Sequence, residues 1–239
     1  MLIKLGNVGF RSTKIKNNFS PTETTNLGLW LDANDISTIT HTSNSVSQWD
    51  DKSGNNINAT QATGYLKPAT NSTTINNKNV INFNGDYMSL LNMNVTGDWT
   101  FNILLSITST PAIISYVFGD TGRGIFVEWV SESSKWGVYS SSSLFGSNLN
   151  QAQAYILTVK KTGTVYSIYT NGILESSGSI SDIDFTSTTL LGTRPDLPSF
   201  SFLGSIGEVI LNETALATSE INQLGNYLAS KWGATWSNI

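Results

Sequence analysis

A chain of 239 residues, 39% of them hydrophobic, can bury a sizeable core, and all-β sandwiches of this size commonly form one unit. The absence of cysteine removes disulfide staples, thiolate zinc sites and cysteine nucleophiles. Charged residues are only 13% and the net charge is -4, with Lys and Arg scattered apart from Lys4, Arg11, Lys14 and Lys16, so no basic face is available to displace counterions from a nucleic acid.

The start, MLIKLGNVGF, has a lysine at position 4 and two glycines, with no continuous apolar run and no small-residue cleavage site, so no secretory signal is expected. Residues 1–25 read as an arm: an apolar patch, a basic stretch, then Phe19-Ser20-Pro21 and a Thr-rich link. Such a segment is either a fraying terminus or a docking element, and Leu2, Ile3, Leu5, Phe10 and Arg11 are the residues that would meet a partner.

Residues 26–239 read as one domain. From Leu27 the pattern is strand after strand, rich in Val, Ile, Phe, Tyr, Trp and Thr, with Asn, Gly and Asp turns between. The first strand leads through a polar turn to Val46 and Trp49 and then into Asp50-Asp51-Lys52-Ser53-Gly54, suited to a tight hydrogen-bonded turn. Asn79 to Phe83 runs through Asn84-Gly85-Asp86, a hairpin-type turn, into Tyr87 to Leu90. Trp99, Phe101, Ile103, Leu105 and Ile107 alternate with Thr100, Asn102 and Ser106, as in a strand buried on one face. The longest apolar stretches, such as Ile103 to Ile107, are strand-sized and far short of a membrane span. Further strands are expected at Ile113–Phe118, Gly124–Val130, Lys135–Tyr139, Tyr155–Lys160, Val165–Thr170 with a turn at Asn171-Gly172, Thr188–Leu191 and Phe200–Asn212, enough for two sheets.

Helical spacing occurs only at the end. Thr218 is the expected N-cap, Glu220 meets the positive end of the dipole, and Ile221, Leu224, Leu228 and Trp232 form one apolar stripe closed by Gly233. A first strand near Leu27 and a last one before this helix imply a sheet closed by its terminal strands.

Four elements in order carry a family resemblance: Leu29-Trp30-Leu31-Asp32-Ala33 with Gln48-Trp49-Asp50-Asp51-Lys52-Ser53-Gly54; Val80-Ile81-Asn82-Phe83-Asn84-Gly85; Gly204-Ser205-Ile206-Gly207-Glu208-Val209; and Tyr227-Leu228-Ala229-Ser230-Lys231-Trp232-Gly233. On these the chain resembles the LamG-like, concanavalin A-like jelly-roll domains of bacterial and bacteriophage proteins. The resemblance implies an all-β fold: a two-sheet antiparallel jelly-roll sandwich with one C-terminal α-helix. It does not fix function, because this architecture hosts lectins, glycosidases, adhesion modules and structural parts. With the arm, it implies a non-enzymatic bacteriophage virion protein, a head decoration, fibre or tail-associated subunit displaying the jelly roll for adhesion to host glycans. Its expected partners are other virion proteins through the arm and further copies of itself, with no nucleic acid and no membrane insertion; its expected location is the virion, assembled in the host cytoplasm. The alternative is a carbohydrate-binding or adhesion module of a bacterial secreted protein.

Laminarinase-type glycosidases on this fold set Glu, Asp and Glu at alternate positions of one strand. Glu128 and Glu132 have the outer spacing, but Val130 holds the middle place, which argues against hydrolysis. For glycan binding, Trp136, Tyr139 and Glu128 are the candidates, an aromatic platform beside a carboxylate. Trp136 and Tyr139 fall on opposite strand faces, so at most one is presented; Trp129 shares a face with Ile125 and Val127, and Trp30, Trp49, Trp99 and Trp232 read as core or seam. No cofactor is expected, calcium excepted: Asp32, Asn34 and Asp35 form one oxygen-rich turn and Asp50, Asp51 and Asn55 another. Both are better read as ordinary turns whose side chains bond the local backbone, since neither has the spacing of an established calcium loop. His41, the single histidine, stands in a Thr and Ser-rich stretch with no nucleophile motif.

Overall fold

In the computed structural model, residues 19–109, 114–130, 133–186 and 188–239 are described, without the side chains of 129, 130 and 133. In chain order the strands are β1 (Leu27–Asp32), β2 (Ile39–Thr42), β3 (Ser45–Trp49), β4 (Ala59–Thr60), β5 (Thr74–Ile75), β6 (Lys78–Asn79), β7 (Ile81–Asn84), β8 (Met88–Leu90), β9 (Trp99–Ile107), β10 (Ile114–Asp120), β11 (Arg123–Val130), β12 (Ser133–Tyr139), β13 (Ser143–Leu149), β14 (Ala154–Thr162), β15 (Val165–Thr170), β16 (Ile173–Ser179), β17 (Leu190–Leu191) and β18 (Leu203–Asn212). One α-helix, α1 (Thr218–Trp232), follows. The fold is an all-β, two-sheet antiparallel sandwich, as expected.

The first sheet runs β1-β18-β9-β14-β15-β16, and β7 lies end to end with β1 along the same edge of β18. The terminal strands do close it, with Leu27 opposite Asn212 and Asp32 opposite Glu208. The second sheet runs β13-β12-β11-β10-β17-β8-β4-β3-β2. Between them lies one core that includes Trp49, Phe83, Trp99, Phe101, Phe118 and Phe185, all fully buried. Each such side chain removed from water contributes about 1.5–3 kcal/mol, so these rings fix the sheet spacing.

Four local expectations change. Asn84-Gly85-Asp86 does turn sharply, with Gly85 at φ 89° and Asn84 N donating to Asp86 Oδ2 at 3.0 Å. It joins no hairpin, however: β7 pairs with β18 and β8 with β4 and β17, so the turn is a corner that carries the chain from one sheet to the other. Turn chemistry fixes a local φ; it does not choose the strand partner.

β9 is buried at all nine positions, because α1 lies against its second face and seals Leu104, Ile156 and Ile210 beneath Leu224, Leu228 and Trp232. The helix cap is Ala217, with no side-chain bond of its own. Glu220 supplies the cap instead, its carboxylate accepting from Ala217 N at 3.1 Å and from Thr25 N at 2.9 Å. Gly233 ends the helix in the left-handed region, as expected. Finally, β13 and β16 add two strands that the composition of Ser143–Leu149 and Ile173–Ser179 hides, since serine and glycine lower strand propensity. β16 arises from the Asn171-Gly172 turn, at φ 53° and 82°, a pairing suited to a two-residue hairpin.

Residues 19–25 pack on the domain. Ser20 caps a short 3-10 turn at Pro21–Glu23, Asn212 Nδ2 donates to Thr24 Oγ1 at 2.7 Å, and Phe19 meets the Tyr227 ring edge-on at 6.0 Å. The docking candidates Leu2, Ile3, Leu5, Phe10 and Arg11 lie outside the described residues.

Candidate functional site

The glycan candidates are separated by strand parity. On β11, Ile125 and Val127 face the core, so Phe126 and Glu128 face outward. On β12, Trp136 and Val138 face the core, so Gly137 and Tyr139 face outward. Trp136 is therefore not a platform residue: it is 0% exposed, and its indole N–H donates to Thr170 Oγ1 of β15 at 2.8 Å, crossing between the sheets. A one-residue bulge in β13 makes room for it, with Gly146 against the indole where any side chain would collide. The Trp129 side chain and Glu132 lie outside the described residues.

Tyr139 and Glu128 do share a surface. Across the outer face of the second sheet, Tyr116 of β10 stands opposite Phe126 of β11, Phe126 opposite Gly137 of β12, and Gly137 opposite Phe145 of β13. The Phe126 ring lies where a side chain at position 137 would be, so glycine there lets it meet Phe145 edge-on, at 5.7 Å and 88°. Tyr116 closes the other side at 6.2 Å. Glu128 and Lys135, directly opposite each other, flank this aromatic row at one end, and Tyr139 flanks it at the other.

The sequence gives no hint of Arg194. It arrives on the loop after β17, and its guanidinium lies over Tyr116 at 4.6 Å and over Tyr139 at 5.5 Å. Its Nη1 donates to the Tyr116 hydroxyl at 2.9 Å and its Nη2 to Asp196 Oδ2 at 2.9 Å, while Nε is buried with no partner among the described residues. Burial pushes the Tyr116 hydroxyl pKa up, against the pull of Arg194. Gly119 leaves room for Arg194, since a side chain there would meet its Cβ at 2.7 Å. The run Gly192-Thr193-Arg194-Pro195-Asp196 carries no local signal for this cluster, because the Tyr116 that Arg194 bonds is 78 residues away.

Of the surface aromatics, Phe145 is 40% exposed and Tyr139 is half-buried, while Tyr116 and Phe126 are the covered floor. The result is an aromatic surface with a carboxylate, an ammonium and an Arg–Asp pair at its rim. It can stack an apolar ring face and hydrogen-bond hydroxyls around it.

The two oxygen-rich turns are engaged elsewhere. Asp51 accepts from Trp30 N at 2.9 Å, Ser53 N at 2.8 Å, Ser53 Oγ at 2.7 Å and Ile57 N at 3.1 Å; Asn55 Nδ2 donates to the Leu27 carbonyl at 2.9 Å. Asp32 contacts Lys231 at 2.7 Å and Lys52 at 3.2 Å, and Lys52 reaches Asp35 at 2.8 Å. These carboxylates are occupied by protein donors, and no group of three or more His, Asp or Glu side chains able to hold a metal occurs among the described residues. His41 is exposed on β2. Among the described residues no helix is long and apolar enough to cross a membrane.

No protein-family model and no curated protein matches the chain. Solved structures do. The fold is similar to Trypanosoma rangeli sialidase, with a TM-score of 0.60 and 16% identity over 88% of this chain; the match spans 34% of the sialidase, so this chain corresponds to about a third of it. It is also similar to domain 4 of AbnA, a GH43 extracellular arabinanase from Geobacillus stearothermophilus solved in complex with arabinotriose, with a TM-score of 0.60 and 17% identity over 85% of this chain and 100% of that domain. At these identities the likeness establishes the architecture alone, a two-sheet β-sandwich.

Proposed function

We propose that the chain is a non-catalytic glycan-binding module that holds a saccharide on the outer face of the second sheet. The observation that carries this is the outward aromatic surface, with Phe145 packed on Phe126, Phe126 on Tyr116, and Arg194 lying over Tyr116 and Tyr139. A sugar face stacks on Phe145 and Tyr139, and Glu128, Lys135 and Asp196 serve its hydroxyls from the rim. Val130, standing between Glu128 and Glu132 where the laminarinase-type pattern sets an aspartate, supports a binding role over a hydrolytic one. The arabinanase domain solved with arabinotriose supports it as a structural parallel.

Calorimetric titration of a panel of neutral and acidic oligosaccharides tests this. Phe145→Ala and Tyr139→Ala are each expected to weaken binding about tenfold, or about 1.4 kcal/mol, with the fold intact by circular dichroism. Wild-type protein that binds no member of the panel, or variants that bind as tightly as wild type, would remove the reading.

The setting we propose for this module is a bacteriophage virion, with residues 1–25 fastening it to the particle. Within that arm Phe19 packs against Tyr227, Thr25 against Glu220 and Thr24 against Asn212, so its last residues hold to the domain and residues 1–18 are the part proposed to meet the particle. Mass spectrometry of purified particles decides it, and a chain absent from them ends this part of the proposal.

A further inference from the structure

The other side of the molecule holds a cleft that shares no residue with the Tyr139 and Phe145 surface. It opens on the outer face of the first sheet, just beyond the end of α1, and has a volume of about 410 Å³. Ser106 of β9, Ser205 of β18 and Ala154 of β14 form its floor; Ser106 faces Ala154 on one side and Ser205 on the other. One wall is the β5–β6 hairpin, with Thr74 and the turn residue Asn76; the other is Trp232 with Gly233. Asn76 and Asn77, both at positive φ, form that turn, and Asn76 Nδ2 donates to the Lys231 carbonyl at 3.3 Å. The hairpin is thereby fastened to the helix end, and the cleft is framed by two tied elements.

Its chemistry is specific. The described lining residues include no ionisable group; they offer hydroxyls, an amide and the edge of an indole. Ser106 is 6% exposed, and its hydroxyl makes no hydrogen bond among the described residues, an unpartnered polar group at the floor of an open cleft. Ser205 is 3% exposed and its Oγ accepts from Asn82 Nδ2 at 3.2 Å, which leaves its own proton to donate. A charged ligand would lose its hydration here without a counter-charge, which is costly, whereas a ligand hydroxyl can donate to one serine and accept from the other. The volume falls at the lower end of the about 300–1,000 Å³ typical of small-molecule sites.

We propose that this cleft is a second binding site, for one or two units of a neutral, polyhydroxylated ligand such as a neutral saccharide. It stands on its own geometry and does not depend on the Arg194 face. A chain with sites on opposite faces would bridge two glycan strands, or hold one molecule at two points, and gain avidity where the span allows.

The test is amide NMR of the full chain titrated with arabinotriose and with maltotriose, with glucuronic acid as the charged control. Saturable shifts are expected at Ser106, Ser205 and Gly233 with the neutral sugars and not with glucuronic acid. Ala154→Phe, an outward position on a strand, fills the cleft and should weaken these shifts at least tenfold, while Tyr139→Ala leaves them unchanged. Should Ala154→Phe disturb the fold, Ser106→Ala removes the free hydroxyl alone and should weaken binding several-fold. Absence of cleft shifts with both neutral sugars, equal response to glucuronic acid, or indifference to Ala154→Phe and Ser106→Ala overturns the site. Because the two faces report through different amides, shifts confined to Tyr139 and Phe145 would sink this proposal and spare the other, and the converse pattern would do the reverse.

Discussion

Two clusters of the same ingredients, a carboxylate, a cation and aromatic rings, occupy the two outer faces of the sandwich, and only one is finished. At the first, Glu208 is 0% exposed and receives four donors: the Trp30 indole at 2.7 Å, the Tyr227 hydroxyl at 2.8 Å, Lys231 at 2.8 Å and the Trp232 indole at 2.7 Å. Burial pushes its carboxyl pKa up and Lys231 pulls it back, and since all four neighbours donate, the geometry fits the ionised form. Lys231 continues to Asp32, and Asp32 to Lys52, so β1, β18, α1 and the Asp51 turn are locked together. At the second cluster, the buried Arg194 Nε has no partner among the described residues, and Phe145 and Tyr139 still meet solvent. Saturation of every partner marks a clasp. An aromatic surface left open beside fixed charges has the form of a binding surface.

The largest expected effect comes from breaking the clasp. Glu208→Ala leaves two indole N–H groups and the Tyr227 hydroxyl without an acceptor in the interior and takes from Lys231 one of its two carboxylates, Asp32 remaining, and should cost about 3–5 kcal/mol, measured by urea denaturation, because buried donors and half of a buried ion network lose their partner together. Saccharide affinity at Tyr139 should remain within twofold in the folded fraction; a parallel loss of affinity would mean that the two faces are coupled. Next in size, Arg194→Met keeps bulk between Tyr116 and Tyr139 but removes the charge. It should weaken glycan binding about tenfold, or about 1.4 kcal/mol, while destabilising the fold less than Glu208→Ala does. The reverse ranking in denaturation would make Arg194 a second clasp.

The smallest effect is a pH dependence. Burial alone would raise the Asp120 carboxyl, but hydrogen bonds from Thr186, Thr188 and Thr121 outweigh it and hold it below the ordinary 3.8. Thr186 N donates to it at 2.8 Å and the Thr186 hydroxyl at 2.6 Å. A depressed value means that the stabilisation is present above pH 3.8 and is lost as the pH falls through the lower folded-state value. Asp120→Asn should therefore be less stable than wild type at neutral pH, with the gap narrowing on acidification below about pH 4. A gap that widens in acid would show that Asp120 contributes no such linkage.

The helix stripe of Ile221, Leu224, Leu228 and Trp232, its stop at Gly233, the closure of the sheet by its end strands and the core placement of Trp49 and Trp99 were all legible in the sequence. Periodicity and left-handed glycine are local properties, and the chain cannot hide them. The candidate site was half legible. Parity alone said that Trp136 and Tyr139 could not both be presented, and the structure assigns Trp136 to the core. The bulge that accommodates Trp136, the glycine that frees Phe126, and the arrival of Arg194 over Tyr116 depend on strands far apart in sequence.

By itself, then, the sequence determined the elements and which residues within each share a face, because a strand alternates with period two and a helix with period 3.6. Only the tertiary structure decided which sheet each strand joins, that Asn84-Gly85-Asp86 is a corner, that α1 buries the second face of β9, and which cation–aromatic cluster is closed. Those outcomes are set by long-range pairing and by what comes to lie on each face, and no local pattern encodes either.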